Sequence, residues 1–194
     1  MGKYILLVIV VTGLSFGVFS YFGKSRQAVP AVTAAAVSST AAPSRAGAKP
    51  NAFVGNSGYL LEFPADYDAY AEMRGRTEFV YFFPKGVTPT NDESKYAGLG
   101  LVRLEVIGTP PGDKKGAEMV AAVKRGVEKS LQQRQETYTV KDIAIPGGAF
   151  LVHITKPTDI LQLFVPREKV IYMFTGGDES FMSKLAGSIS EVEL

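Results

Sequence analysis

The sequence predicts an α+β domain, a mainly antiparallel sheet of about six strands with helices packed on it, preceded by one transmembrane helix and a disordered linker. Residues 4–22 form a run of 19 residues without a charge. An Ala/Pro/Ser-rich stretch follows, and from Tyr59 onward short apolar runs alternate with Pro and Gly turns and with two amphipathic stretches. The predicted boundaries are 1–24 for the anchor, 25–52 for the linker and 53–194 for the domain.

The uncharged run is long enough to cross a bilayer. At about 1.5 Å per residue it spans about 28 Å, close to the roughly 30 Å of the hydrocarbon layer. We expect a single-pass anchor in the cell membrane that displays the domain outside the cytoplasm, in the periplasm or beyond. The alternative is a signal peptide cleaved near Ser20, which would release a secreted domain. Gly13 and Gly17 form a G-x-x-x-G pair that can join two helices into a homodimer, although lipid-facing glycines are the simpler interpretation.

Charge is distributed unevenly between the tether and the domain. Residues 1–52 contain five basic residues and no acid, whereas the rest of the chain contains 16 basic and 19 acidic residues. The surplus of positive charge therefore lies in the tether and gives no support for nucleic-acid binding by the domain. The sequence has no cysteine, so it has no disulfide, no thiolate metal site and no lipoprotein anchor.

The first half of the domain contains short elements separated by prolines. Tyr59–Phe63 and Thr77–Phe83 have strand character and stop at prolines. Asp66–Met73, between them, is predicted to be a short helical turn, and residues 85–96 to be a polar loop.

Leu101–Val106 is the clearest strand. Its residues alternate, so that the three apolar positions from Val102 to Val106 are predicted to face the core, while Arg103 and Glu105 face away.

The second half of the domain predicts one long helix, two hairpins and a closing helix. Residues 116–134 place apolar residues at helical spacing on one side. Four strands with tight Pro and Gly turns follow, at the spacing of antiparallel hairpins: Tyr138–Ile145, Ala149–Thr155, Ile160–Val165 and Val170–Thr175. Asp178 or Ser180 can cap the final helix, whose predicted buried stripe is Phe181, Leu185, Ile189 and Val192.

This order of elements, with the opening GYLLEFPADY at residues 58–67, resembles the PsbP-like superfamily over about residues 55–194. Tyr67 stands where that family often has Trp. The resemblance implies an α/β/α sandwich around an antiparallel sheet. It also implies a non-catalytic role in binding other proteins, as in the family's bacterial envelope members, photosynthetic extrinsic protein and Ran-binding nuclear import factor. It transfers no individual binding residue.

No residue set predicts catalysis, a metal or a cofactor. His153, the only histidine, lies on a predicted strand without a second histidine or cysteine ligand nearby, so a hydrogen-bonded structural role is expected. The one G-x-S-x-G match, residues 13–17, lies inside the uncharged run at 4–22, and no phosphate-binding glycine loop is present.

The candidate partner-binding residues are therefore the mixed aromatic and charged group Tyr67, Asp68, Tyr70, Arg74 and Arg76. The predicted function is a membrane-anchored, non-catalytic envelope domain that binds a protein partner and assists the assembly or stability of a complex. The alternative is a domain that binds a small ligand or lipid in a pocket between sheet and helix.

Overall fold

A computed structural model describes residues 50–108 and 114–192. The predicted anchor at 4–22, its Gly13 and Gly17, and nearly all of the predicted linker lie outside the described residues. Within the described residues, no helix is long and apolar enough to cross a membrane.

A seven-stranded antiparallel sheet forms the centre of the domain. Its strand order is β3-β4-β5-β9-β8-β7-β6. The strands are β3 (Tyr67–Arg74), β4 (Thr77–Pro84), β5 (Val102–Gly108), β6 (Thr137–Ile143), β7 (Ala149–Lys156), β8 (Ile160–Pro166) and β9 (Val170–Gly176). The α+β class and the antiparallel sheet are confirmed. The sheet has seven strands, because a segment predicted as a turn is a strand.

A second, three-stranded sheet has the order β1-β2-β10. Its strands are β1 (Asn51–Gly55), β2 (Tyr59–Phe63) and β10 (Ser190–Glu191). Asn51 and Ala52, which precede the predicted domain start at residue 53, pair with Phe63 and Glu62 of β2. β1 has no apolar periodicity, because it contains the polar or small residues Asn51, Ala52 and Gly55.

The helices lie on opposite faces of the large sheet. The helices are α1 (Tyr96–Leu99), α2 (Gly116–Gln133) and α3 (Glu179–Gly187), with a 3-10 turn at Glu93–Lys95 before α1. Val120, Val123 and Val127 of α2 pack on Phe150 and neighbouring residues of one face. The opposite face carries α3 and the small sheet in one continuous apolar core. Burial of both faces is the main stabilising contribution to this fold.

The closing helix is capped as its sequence predicts. The Asp178 carboxylate accepts a hydrogen bond from the Phe181 backbone N–H at 2.8 Å. The predicted stripe was only partly right. Met182 and Leu185 are buried in the core, and the helix ends at Gly187, before Ile189 and Val192.

Candidate functional site

The segment that contains the candidate partner-binding residues is an edge strand. The prediction of a helical turn at Asp66–Met73 was wrong: β3 runs for eight residues in continuous register with β4, from Tyr67↔Pro84 to Arg74↔Thr77. Its residues alternate between two faces with a period of two, which the abundance of polar and alanine residues conceals from an apolar pattern search. Gly75, with φ of +63°, supplies the tight turn into β4.

The structure separates Tyr67 from the other candidate residues. Tyr67 lies on the face of the large core, with its ring 4.6 Å from that of Phe181. Burial raises its pKa above the ordinary tyrosine value, and the charges of Asp66 and Asp178 raise it further. Tyr67 is thus a packing residue that holds the start of β3 to α3.

Asp68, Tyr70 and Arg74 share the opposite face of β3. They alternate with residues of the core face, and Tyr70 is 47% exposed with its ring 6.2 Å from that of Tyr81. Asp68 is exposed and forms no ion pair within residues 50–108 and 114–192. Arg76 lies beyond the strand, exposed in the turn. The structure therefore brings three of the five predicted residues onto one surface.

Arg74 is held in place by several polar neighbours. Its Nη2 forms an ion pair with Glu72 and donates to the Tyr81 hydroxyl at 3.1 Å and to Asn91 Oδ1 at 3.3 Å. The guanidinium lies 4.9 Å from the centre of the Phe79 ring. Burial raises the pKa of Tyr81 well above its ordinary value, so this hydroxyl stays protonated and available as a donor. A charge is therefore presented at the edge in a fixed position.

The backbone of β3 has free hydrogen-bonding groups along its outer side. Lys85 N–H donates to Asp66 C=O at 2.9 Å, so the even-numbered residues of β3 bond to β4, because antiparallel ladders alternate. The backbone groups of Tyr67 point to the outer side of the strand: its N–H donates to Pro64 C=O, and its C=O accepts from the Asn51 side chain. The same alternation turns the N–H and C=O groups of Ala69, Ala71 and Met73 outward, where no strand of the described chain pairs with them.

The side chains around this outer edge are accessible. Met73 is 52% exposed, and Ala71 is also exposed. Strand β1 lies beside the edge on the core face, where Asn51 reaches Tyr67 and Asn56 Nδ2 lies 3.6 Å from the Met73 sulphur. These contacts brace both ends of β3, and Ala71 between them is exposed.

A buried ionic group lies on the same sheet face as Arg74, deeper in the sheet. Arg103 and Glu105 were predicted to face away from the core, and on that face they are only 7% and 5% exposed. Arg103 Nη2 lies 2.6 Å from Glu93 and 3.8 Å from Glu105. The 3-10 turn and α1 cover them with a third apolar cluster that includes Tyr96 and Leu101. Alternation correctly predicted the face, but no pattern in the residues indicated that a polar loop would bury it.

The two ions of this group respond to burial in different ways. Burial opposes the charge of Arg103, but Glu93, Tyr96 and Glu105 together raise its pKa above the ordinary value. Burial raises the pKa of Glu105 more than the nearby Arg103 lowers it. Three polar atoms on this face, Arg103 Nε and the hydroxyls of Tyr96 and Thr175, have no hydrogen-bond partner in the described residues. The arrangement stabilises the loop and offers no exposed reactive group.

His153 lies in a shallow cleft at the other end of the sheet. Its Nε2 lies 2.6 Å from Asp159 Oδ1, and the side chain is 39% exposed. The cleft, of about 190 Å³, is lined by Thr139, Lys141, Leu151, His153, Leu161 and Glu179. Within the described ranges, no three His, Asp or Glu side chains are grouped so as to hold a metal ion.

No family model matches the chain, and no curated protein matches it significantly. The resemblance to the PsbP-like superfamily stays a prediction based on the order of elements and the opening sequence.

Proposed function

We propose that this chain is a membrane-anchored, non-catalytic domain that binds a protein partner by strand addition to the edge of β3. One observation carries the proposal: β3 is an eight-residue edge strand whose outward N–H and C=O groups at Ala69, Ala71 and Met73 are unpaired in the described chain. An extended segment can bond to such an edge through its backbone, while side chains on the two faces supply selectivity. Tyr70 and Arg74 would contact the added strand on one face and Met73 on the other.

The wider setting belongs to the same proposal. The uncharged run at 4–22 would place the domain at the cell membrane, outside the cytoplasm, with residues 25–49 as a tether, and secretion after cleavage is the alternative. The positions of α2 and α3 on opposite faces of an antiparallel sheet support the α/β/α sandwich and the PsbP-like assignment. In such a setting a domain that binds partners would assist complex assembly or stability.

The edge can be tested by removing a single N–H group. Ala71→Pro eliminates an outward donor, whereas Ala71→Val retains it and adds a side chain of similar bulk. We expect chemical crosslinking and affinity recovery of the full chain from its native membranes to retain the partner with Ala71→Val and to lose it with Ala71→Pro. Equal recovery with both variants would contradict strand addition at β3.

A second candidate function is supported by the cleft that contains His153. It lies between the sheet and the first turn of α3, where Lys141 Nζ is 2.6 Å from Glu179 Oε2. Its volume of about 190 Å³ is below the range of about 300–1,000 Å³ usual for ligand pockets. Native mass spectrometry of the purified chain tests it. A retained small molecule that is lost in Leu151→Trp, which fills the cleft, would favour this function over the first.

A further inference from the structure

We propose that the strand added to β3 is β3 of a second copy of this chain, paired antiparallel about a two-fold axis between the two Ala71 residues. This inference rests on the proposed function, since it requires that the β3 edge accept a strand. It specifies the partner and the register of the pairing.

The backbone geometry permits this pairing. Ala69, Ala71 and Met73 each turn both backbone groups outward. A two-fold axis at Ala71 places Ala71 opposite its own copy and Ala69 opposite the Met73 of the second chain. Every pair then consists of two outward-facing residues, which is the hydrogen-bonded pairing of antiparallel strands. The arrangement uses all three outward donors and all three outward acceptors of each chain.

The side chains select this register over its neighbours. With the axis at Ala71, Asp68 lies opposite Arg74 of the second chain, and the same contact recurs by symmetry at the other end. An axis at Tyr70, the next register that keeps the hydrogen bonds, would place Asp68 opposite Glu72 of the second chain. An axis at Glu72 would place the two Glu72 carboxylates opposite one another. Of these three registers, only the Ala71 axis places unlike charges of the strand Tyr67–Arg74 opposite each other.

The structure leaves the groups concerned accessible for this contact. Asp68 is exposed and has no ion pair in the described chain. The Arg74 side chain is 40% exposed, and its ion pair with Glu72 and its hydrogen bonds to Tyr81 and Asn91 fix its position at the edge. On the core face, the exposed Met73 side chain would lie against the small Ala69 of the second chain. Two chains anchored in one bilayer would also meet at a raised effective concentration, which favours a contact of this modest size.

Cysteine crosslinking of the full chain tests the register. The protein has no cysteine, so single substitutions report one position each. Facing residues of a hydrogen-bonded antiparallel pair have Cα atoms about 5.5 Å apart, within disulfide range. We expect Ala71→Cys to form a disulfide-linked dimer at least about tenfold faster than Ala52→Cys, an exposed alanine on β1, because the paired thiols have a high effective concentration.

Two further measurements define the pairing. Ala69→Cys and Met73→Cys should each crosslink slowly alone, but their mixture should rapidly form a dimer containing one of each. Asp68→Lys should slow crosslinking at residue 71 by about tenfold, since it places like charges opposite each other at both ends, and Asp68→Asn should slow it less. These rates should persist with Gly13→Leu and Gly17→Leu, which removes the helix pair that could otherwise dimerise the chain.

The outcomes separate the inference from the proposed function. Equal rates for Ala71→Cys and Ala52→Cys, or a maximum at Tyr70→Cys, would overturn the two-fold pairing. If this happened while Ala71→Pro still abolished recovery of a different protein, strand addition would stand and only the identity of the partner would be wrong. If Ala71→Pro changed neither the crosslinking between Ala69→Cys and Met73→Cys chains nor the recovery of a partner, both proposals would fall.

Discussion

In the two halves of the large sheet, the face opposite the main core is covered by different elements. In the half formed by β6, β7 and β8, the face opposite the main core is covered by the long helix α2, through valines and Leu131 on stacked aromatic rings. In the half formed by β3, β4 and β5, the same face is covered by a 3-10 turn and the four-residue helix α1, over the buried ions Arg103 and Glu105. One half is covered by apolar contacts, and the other by an apolar cluster that encloses a buried ionic group.

The edge strands of the two halves, β6 and β3, also differ from each other. β6 has a register shift at Thr137 and Tyr138, and ion pairs to both helices flank it: Asp142 with Lys124 of α2, and Lys141 with Glu179 of α3. Bulges and charges of this kind are devices that discourage pairing with another chain. β3 has an unbroken register, and its charges are arranged along one face. The half of the sheet with the polar cover is therefore also the half with an edge open to a partner.

The largest effect is expected from breaking the polar cover. Arg103→Met should lower the free energy of unfolding by about 3–5 kcal/mol, because it leaves the buried Glu105 and the partly buried Glu93 without the cation that pairs with them. Urea denaturation of the purified chain measures this loss. Lys124→Met, which breaks an ion pair exposed on α2, is the matched control in the other half and should cost about 1 kcal/mol or less.

A double variant checks the cause of that loss. Adding Glu105→Leu to Arg103→Met removes one of the stranded carboxylates and should restore part of the stability. A double variant as unstable as Arg103→Met alone would mean that the loss arises from packing around the Arg103 side chain.

The next largest effect distinguishes the inner and outer sides of β3. Tyr70 donates to β4, so Tyr70→Pro should cost about 2 kcal/mol more than Tyr70→Ala, which keeps the ladder bond. Ala71 faces outward, and Ala71→Pro should cost about 1 kcal/mol or less. Chemical denaturation measures both. The reverse order of the two proline variants would contradict the assigned direction of the β3 backbone and, with it, the open edge.

This contrast also shows how far the sequence predicts the molecule. The half under α2 is accessible to pattern reading, because Val120, Val123 and Val127 repeat at helical spacing and β7 and β8 are separated by evident turns. The hairpins and the cap at Asp178 were predicted for the same reason.

The half under α1 was harder to predict. β3 has no apolar period, since Asp68, Glu72 and Arg74 alternate with alanines, and its strand state depends on pairing with β4. The burial of Arg103 depends on where the loop that contains Glu93 folds back, which is a tertiary property. Asp68, Tyr70, Arg74 and Arg76 are exposed, but their strand, and the separation of Tyr67 from them, required the structure.

A smaller effect with a definite sign concerns the pH dependence of the polar cover. The pKa of Glu105 is raised in the folded protein, so the folded state binds this proton more tightly than the unfolded chain. The stability that the folded protein gains from protonated Glu105 is fully present below the unfolded pKa of 4.5. It is lost as pH rises through the folded pKa of Glu105. Glu105→Gln removes this dependence.

The sign can be checked by urea denaturation at pH 4 and pH 7. The stability of Glu105→Gln relative to the natural protein should be higher at pH 7 than at pH 4. Glu136, which pairs with Arg134 at the end of α2, supplies the control Glu136→Gln in the other half. A greater relative stability of Glu105→Gln at pH 4 would show that attraction to Arg103 outweighs burial.

The smallest effect is expected at the β6 edge. Asp142→Asn removes the ion pair with Lys124. Because the Asp142 carboxylate is largely exposed, the free energy of unfolding should change by about 0.5 kcal/mol at most. Crosslinking at residue 71 should be unchanged as well, because β6 lies at the opposite edge of the sheet from β3. If Asp142→Asn instead created new dimers that crosslink through β6, the charge at Asp142 would be what keeps that edge unpaired, and the two edges would differ in this charge more than in backbone regularity.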